Sequence, residues 1–198
     1  MGLSRYRTFI LVVTAALALL VASPSIQQLI VYPQSDTLTE FWMFGPNHDA
    51  AYPSNVTQDQ TYRIYLDVTN HLSSAAYYNV EIKFRNQTQP APDSFNRTSS
   101  NLPALGNIAI AAAENSTSEV QLDISFQYHT DTPTGTLYME NVTVNGFAQD
   151  ASATTIAWDE AKGGFFGNLV FELYLQNSTT NTFQYHQRYL SLWLKMNP

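Results

Sequence analysis

The stretch Tyr62-Arg-Ile-Tyr-Leu-Asp-Val-Thr69 decides the fold class. Tyr62, Ile64, Leu66 and Val68 occupy one parity, while Arg63, Asp67 and Thr69 occupy the other. A strand sends successive side chains to opposite faces, so this alternation describes a β-strand with one apolar and one wet face. The pattern recurs. In Tyr78–Arg85 the apolar parity holds Tyr78, Val80, Ile82 and Phe84, and in Glu119–Gln127 it holds Val120, Leu122, Ile124 and Phe126. Leu169–Gln176 repeats it with Leu169, Phe171, Leu173 and Leu175, and Arg188–Met196 with Leu190, Leu192, Leu194 and Met196. Weaker strands are expected near Thr37–Phe44 and Thr136–Val144, which makes about seven.

Strands with one wet face pack as antiparallel sheets over a shared core. The turn signals between them are Gly45-Pro46-Asn47, Pro90-Ala-Pro92, Thr132-Pro-Thr-Gly135, Asn145-Gly146 and Gly163-Gly164. Gln176–Thr182 reads as a hairpin tip between two strong strands. Ala109–Ala113 reads as strand or loop, and 86–117 as a long connection or a holder of one edge strand. The expected fold is all-β: an antiparallel immunoglobulin-like β-sandwich without the Cys–Trp–Cys pattern of antibody domains. Its expected core is Ile64, Leu66, Val80, Ile82, Leu122, Ile124, Phe171 and Leu173.

A different pattern governs residues 1–35. Arg5 and Arg7 are the only charges before Asp36, and the apolar run Phe9–Ala22 follows them. A basic start and an apolar run direct a chain into a translocation pathway with the positive end left inside. Fourteen residues span only ~21 Å as a helix, short of the ~30 Å hydrocarbon core. That favours a cleaved signal. Apolar residues resume at Ile26 and at Leu29–Tyr32, and no cut after Ala22 or Ser23 has the small-x-small pattern, although cutting after Ser25 remains open. We read 1–35 as an uncleaved signal-anchor or transmembrane helix, with a cleaved signal as the alternative. The domain at 36–198 then lies outside the cytoplasm.

Composition agrees with that address. All sixteen acids but only seven of the nine bases lie beyond residue 35, so that part carries −9. Nucleic acid is a poor partner for such a surface. Cysteine is absent, which excludes a disulfide framework, thiolate metal sites and Cys nucleophiles.

Six Asn-x-Thr sequons occur, at Asn55, Asn86, Asn96, Asn115, Asn141 and Asn177. Random placement of fifteen Asn among thirty-six Ser and Thr gives about three matches to the acceptor pattern, so six is an excess. They are the candidate sites for N-linked glycans, and Asn141, within a strand, is expected to face outward.

No residue set points to chemistry. His48, His71, His129 and His186 show no i,i+2 or i,i+4 spacing, and no metal site is expected of them. Asp159-Glu160 reads as a surface turn rather than a calcium loop. No phosphate loop, dinucleotide fingerprint or Gly-x-Ser-x-Gly elbow occurs. Catalytic residues and cofactors are therefore expected to be none. Tyr65, Tyr174 and Trp193 fall on the wet parity. Partial covering of both faces of a central strand is favoured for them, over an aromatic platform for sugar rings or a partner protein.

Three segments carry a family resemblance: Leu38-Thr-Glu-Phe-Trp-Met-Phe-Gly-Pro-Asn47, Asp49-Ala-Ala-Tyr-Pro-Ser-Asn-Val-Thr57, and Leu169–Thr179 with Arg188–Leu194. In this order they resemble the extracytoplasmic part of the archaeal domain-of-unknown-function family 1616 (DUF1616). The resemblance covers residues ~36–196. It implies an archaeal envelope protein with a β-sandwich outside the membrane, no known reaction, and a retained anchor. This chain departs from many members by having one candidate helix rather than several. The expected function is non-enzymatic binding or structural interaction in the cell envelope. The alternatives are a secreted carbohydrate-binding module, a self-assembling filament or lattice subunit, and an extracellular hydrolase. Expected partners are the membrane, N-linked glycans, and an envelope protein, a sugar or a second copy.

Overall fold

The computed structural model describes Tyr6 and residues 11–14, 38–131 and 135–198. The chain divides into Met1–Thr37 and Leu38–Pro198. In the first unit, residues 11–14 are helical; the rest of the expected anchor lies outside the described residues. Among the described residues no helix is long and apolar enough to cross a membrane.

The second unit is all-β. Its strands are β1 (Thr39–Phe44), β2 (Asn55–Thr57), β3 (Tyr62–Asn70), β4 (Ala76–Arg85), β5 (Gly106–Ala112) and β6 (Ser116–Asp131), followed by β7 (Thr136–Val144), β8 (Phe147–Asp150), β9 (Thr155–Asp159), β10 (Gly164–Asn177) and β11 (Thr182–Asn197). One layer runs β1-β3-β6-β7, with β8 on the far edge of β7; we call it sheet A. The other runs β5-β4-β10-β11-β2; we call it sheet B. Every pairing is antiparallel except β11 with β2. Strand β9 pairs with both β7 and β10, so the two ladders curl into one continuous network.

The expectation of about seven strands undercounts. Strands β2, β8 and β9 were not anticipated, because three to five residues are too few to display a period of two. Strand β5 resolves the ambiguity at 86–117: residues 86–105 are a long connection and Gly106–Ala112 is the edge strand after it.

The two sheets meet as a sandwich-like pair of layers. All eight expected core residues are buried. Phe84 of sheet B lies 5.9 Å from Phe126 of sheet A, ring centre to ring centre. Tyr128 of β6 reaches across and donates to the carbonyls of Val56 and Asn197. Burial drives its hydroxyl up to about 12, so it stays a donor. Gly167 is required by packing: a Cβ there would lie 2.3 Å from the Phe84 ring.

One end of the sandwich is closed by a buried asparagine. Asn70 Nδ2 donates to the carbonyls of Ser74, Ala112 and Ala113, while its Oδ1 accepts from Leu72 N and the Tyr78 hydroxyl. That satisfies a fully buried amide and joins β3, β4 and β5 without a disulfide. The hairpin tip between β10 and β11 forms as expected, with Asn177 Oδ1 accepting from the backbone N–H groups of Thr179 and Thr180. Asn145-Gly146 turns β7 into β8 with both residues at positive φ, 50° and 84°, as a two-residue hairpin loop requires.

Candidate functional site

The six sequon asparagines are all outside the core. Asn55 lies on β2, Asn86 just beyond β4, Asn96 in the 86–105 connection, Asn115 in the β5–β6 turn, Asn141 on β7 and Asn177 at the β10–β11 tip. Their amides differ in how they are held. Asn86 Nδ2 donates to Thr155 O at 2.8 Å and Asn141 Nδ2 to Gln127 Oε1 at 3.1 Å, and both residues are half-buried. Asn96 Nδ2 donates to Asp93 Oδ2 at 2.6 Å but is exposed. Asn55 and Asn115 are exposed, and neither amide makes a hydrogen bond among the described residues.

The histidines do not gather. His48 pairs with Glu119 at 3.0 Å, His71 with Glu40 at 3.3 Å, and His129 with Glu140 at 2.7 Å. His186 sits where the β10–β11 register shifts, beside Gln187 at φ 59°, and burial holds its imidazole below the usual range. No group of three metal-ligating side chains forms among the described residues. Asp159 ends β9, and its carboxylate accepts from Lys162 N, so the Asp159-Glu160 pair does belong to a turn.

The outer face of sheet A is open and acidic. Trp42 of β1 stands across from Asp67 of β3, which stands across from Glu119 of β6. His48 folds over from the β1–β2 loop to stack on Tyr65, with ring centres 4.0 Å apart. Asp67 Oδ1 is buried without a hydrogen bond. Burial, reinforced by Glu119 and opposed by His48, pushes its carboxyl above the ordinary range.

Sequence reasoning missed the strongest polar arrangement, which lies on the outer face of sheet B. There the 86–105 connection crosses over β4 and β10 and buries an ion pair. Glu172 has no exposed surface and Lys83 has 3%. Lys83 Nζ donates to Glu172 Oε2 at 2.8 Å and to Ser100 O at 3.2 Å, and pairs with Glu81 Oε2 at 3.1 Å. The Glu172 carboxylate also accepts from Ser100 N at 2.8 Å, from the Ser100 hydroxyl, and from the Tyr174 hydroxyl at 3.1 Å. Both charges are thus fully partnered, which buried ions require. Tyr174 is a covered residue, as favoured from its place on a central strand, and burial raises its hydroxyl. One signal was present: Val170 falls on the parity that should be wet, and it is fully buried.

Below the strap the same face carries a second cluster. Trp193 is 40% exposed. The Arg85 guanidinium lies 5.1 Å from its ring centre, and Lys162 Nζ lies 5.7 Å from it and 5.3 Å from the Phe166 ring. Arg85 is oriented by Asn168, whose Oδ1 accepts from Arg85 Nε at 2.9 Å, and by the carbonyl of Gln89.

No family model matches the chain, and neither does any curated protein. Among solved structures it is similar to the CARDB domain of a Pyrococcus furiosus protein in complex with di-metal ions, at 8% identity and TM-score 0.35, over 84% of this chain and 98% of that one. The ASH/PapD-like domain of human CEP192 aligns at 10% identity and TM-score 0.34, over 84% and 91% of the two chains. A β-glucosidase from Listeria innocua in complex with glucose aligns at 8% identity and TM-score 0.34, over 81% of this chain. This chain spans only 16% of that glucosidase's length. At such scores these likenesses carry no argument about activity, ligand or partner.

Proposed function

We propose that this chain is a membrane-anchored, N-glycosylated extracytoplasmic domain of the cell envelope, of immunoglobulin-like sandwich type, acting by binding or structural contact rather than by catalysis. The resemblance to the archaeal DUF1616 family belongs to this reading. The observation that carries it is the placement of the sequons: six Asn-x-Thr acceptors, in excess of chance, all on surface positions of a cysteine-free domain. Glycans add solubility to a chain with only 13% charged residues.

Cell fractionation and intact mass test this. Native protein is expected in the membrane fraction, cleavable by protease added to whole cells, and heavier than 22.2 kDa by whole glycans. Recovery from the cytosol at the bare mass overturns it. Glycopeptide mapping refines it. Asn55 and Asn115 are expected to be the most fully occupied sites, and Asn86 and Asn141 the least, because their amides must first give up a hydrogen bond.

A secreted carbohydrate-binding module is the second reading. The half-exposed rings of Trp42 and Trp193, one on each outer face, favour it. Amino-terminal sequencing separates the two: a mature start near Ser23–Ile26 indicates secretion, and retention of Arg5 indicates the anchor.

A further inference from the structure

The domain has few cations, and their distribution is uneven. Of the seven bases beyond residue 35, three converge on one part of the outer face of sheet B: Arg85, Lys162 and Lys195. Lys195 stands across from Phe166 in the β10–β11 ladder, and its stem lies over Gly164, where a Cβ would come within 2.7 Å of its Cε. Arg85 and Lys195 have no carboxylate within ion-pair distance among the described residues. Lys162 has only Asp159, at 3.6 Å, with Glu160 exposed in the same turn. Arg85 uses Nε and one terminal nitrogen on Asn168 and Gln89, so its Nη2 makes no hydrogen bond among the described residues. Cation–π pairs arise about once per 70–80 residues, which predicts two or three in a chain of this length. Among the described residues three occur, and all three share the Trp193–Phe166 pair.

We propose that Trp193, Arg85, Lys162 and Lys195 form a binding site for an acidic saccharide, carboxylated or sulfated. The proposal rests on the reading of this chain as a binding domain of the envelope, and names a ligand class for it. The acid group on the sugar ring is held by the Arg85 and Lys162 cations that lie over the indole, and the ring packs its C–H face against the part of the indole they leave exposed. Arg85 is fixed by two hydrogen bonds before any ligand arrives, so little ordering cost remains there. The charge argument selects acidic over neutral sugars: this is a cationic island on a domain of net charge −9.

The test uses purified full-length chain in detergent, titrated with polygalacturonate, dextran sulfate and neutral dextran while tryptophan fluorescence is followed. Binding of polygalacturonate, dextran sulfate or both is expected, weakening as salt rises, with neutral dextran inert. Preference between the two acidic polymers identifies carboxylate or sulfate as the acid recognised. Trp193→Ala is expected to weaken binding about tenfold. Lys162→Glu, at an exposed turn where folding is not at stake, is expected to weaken it as well. Equal binding of neutral dextran, no binding of either acidic polymer, or unchanged affinity in Lys162→Glu overturns the proposal. These outcomes are independent of where the protein resides, so a failed titration leaves the envelope reading standing. A cytosolic location removes that reading without touching a measured affinity.

Discussion

The two outer faces of the sandwich come from strands with the same alternating pattern, yet they end in opposite conditions. On sheet A most outward residues of β3 and β6 meet water: Arg63 pairs with Asp123 at the surface and Thr69 with Thr117, while Asp67, with one oxygen buried, faces exposed Glu119. On sheet B the central outward residues Lys83, Val170 and Glu172 are as buried as the core, with Ser100 of the 86–105 connection bonded to both Lys83 and Glu172, while Tyr77 at the start of β4 is exposed. Period two therefore tells which residues share a face, but not whether that face is wet. A strap placed by a distant part of the chain decides that.

The largest effect should come from the sealed face. Removing one partner of a buried ion pair strands the other charge and costs about 3–5 kcal/mol. Glu172→Ala is expected to lose up to that much in urea denaturation, since it leaves buried Lys83 with only the partly exposed Glu81 carboxylate and Ser100 O, and strips the acceptor from two Ser100 donors that hold the strap. Limited proteolysis should then cut within 86–105 before any other described segment. The double variant Lys83→Met, Glu172→Leu should recover part of the stability, because it leaves no buried ion without its partner, while Ser100 N and the Ser100 hydroxyl still lack their acceptor. A Glu172→Ala protein as stable as the parent would show that the strap is held by Leu102 and Leu105 instead.

The contrast also explains what was legible. Ile64, Leu66, Val80, Ile82, Leu122, Ile124, Phe171 and Leu173 were readable as core because sandwich interiors are filled by same-parity neighbours, a local property of each strand. The Asn145-Gly146 and 176–182 turns were readable from residue chemistry alone. Strand β9 was not, because its pairing with both β7 and β10 exists only after the chain has folded. Nor were Lys83, Ser100 and Glu172, which lie 17 to 89 residues apart and meet through the strap. The sequons were visible as a pattern, but which amides are free was not: Asn86 meets Thr155 across 69 residues.

On the open face a smaller effect of opposite sign is expected. The Asp67 carboxyl has a raised folded-state pKa, so between 3.8 and that raised value the native state keeps a proton the unfolded chain has released. Stability therefore falls as pH rises through that window, and the penalty persists at neutral pH. Asp67→Asn removes the charge facing Glu119 and allows the buried oxygen a neutral role. It is expected to stabilise the domain by about 1 kcal/mol at neutral pH, or ~2–4 °C in Tm, and to be neutral below the window. Thermal melts of both proteins across pH check this. A gain of the same size at acid and neutral pH would mean that ionisation is not the cause.

The smallest effect should come from the pair that looks best on paper. Arg63 makes two hydrogen bonds to Asp123, at 2.8 and 3.1 Å, and these hold the Asp123 carboxyl below the ordinary range. A lowered carboxyl pKa contributes stability above the unfolded value that is lost as pH falls through the folded value. Both side chains are substantially exposed, however, at 48% and 32%, so water and salt screen most of the interaction. Arg63→Ala is expected to return Asp123 to the usual range and to lower the melting midpoint slightly at low salt and not at all at high salt. Geometry on the two faces is comparable, with bonds of 2.8 Å in each ion pair. If Arg63→Ala matched Glu172→Ala in cost, burial beneath the strap would not be what separates the two faces.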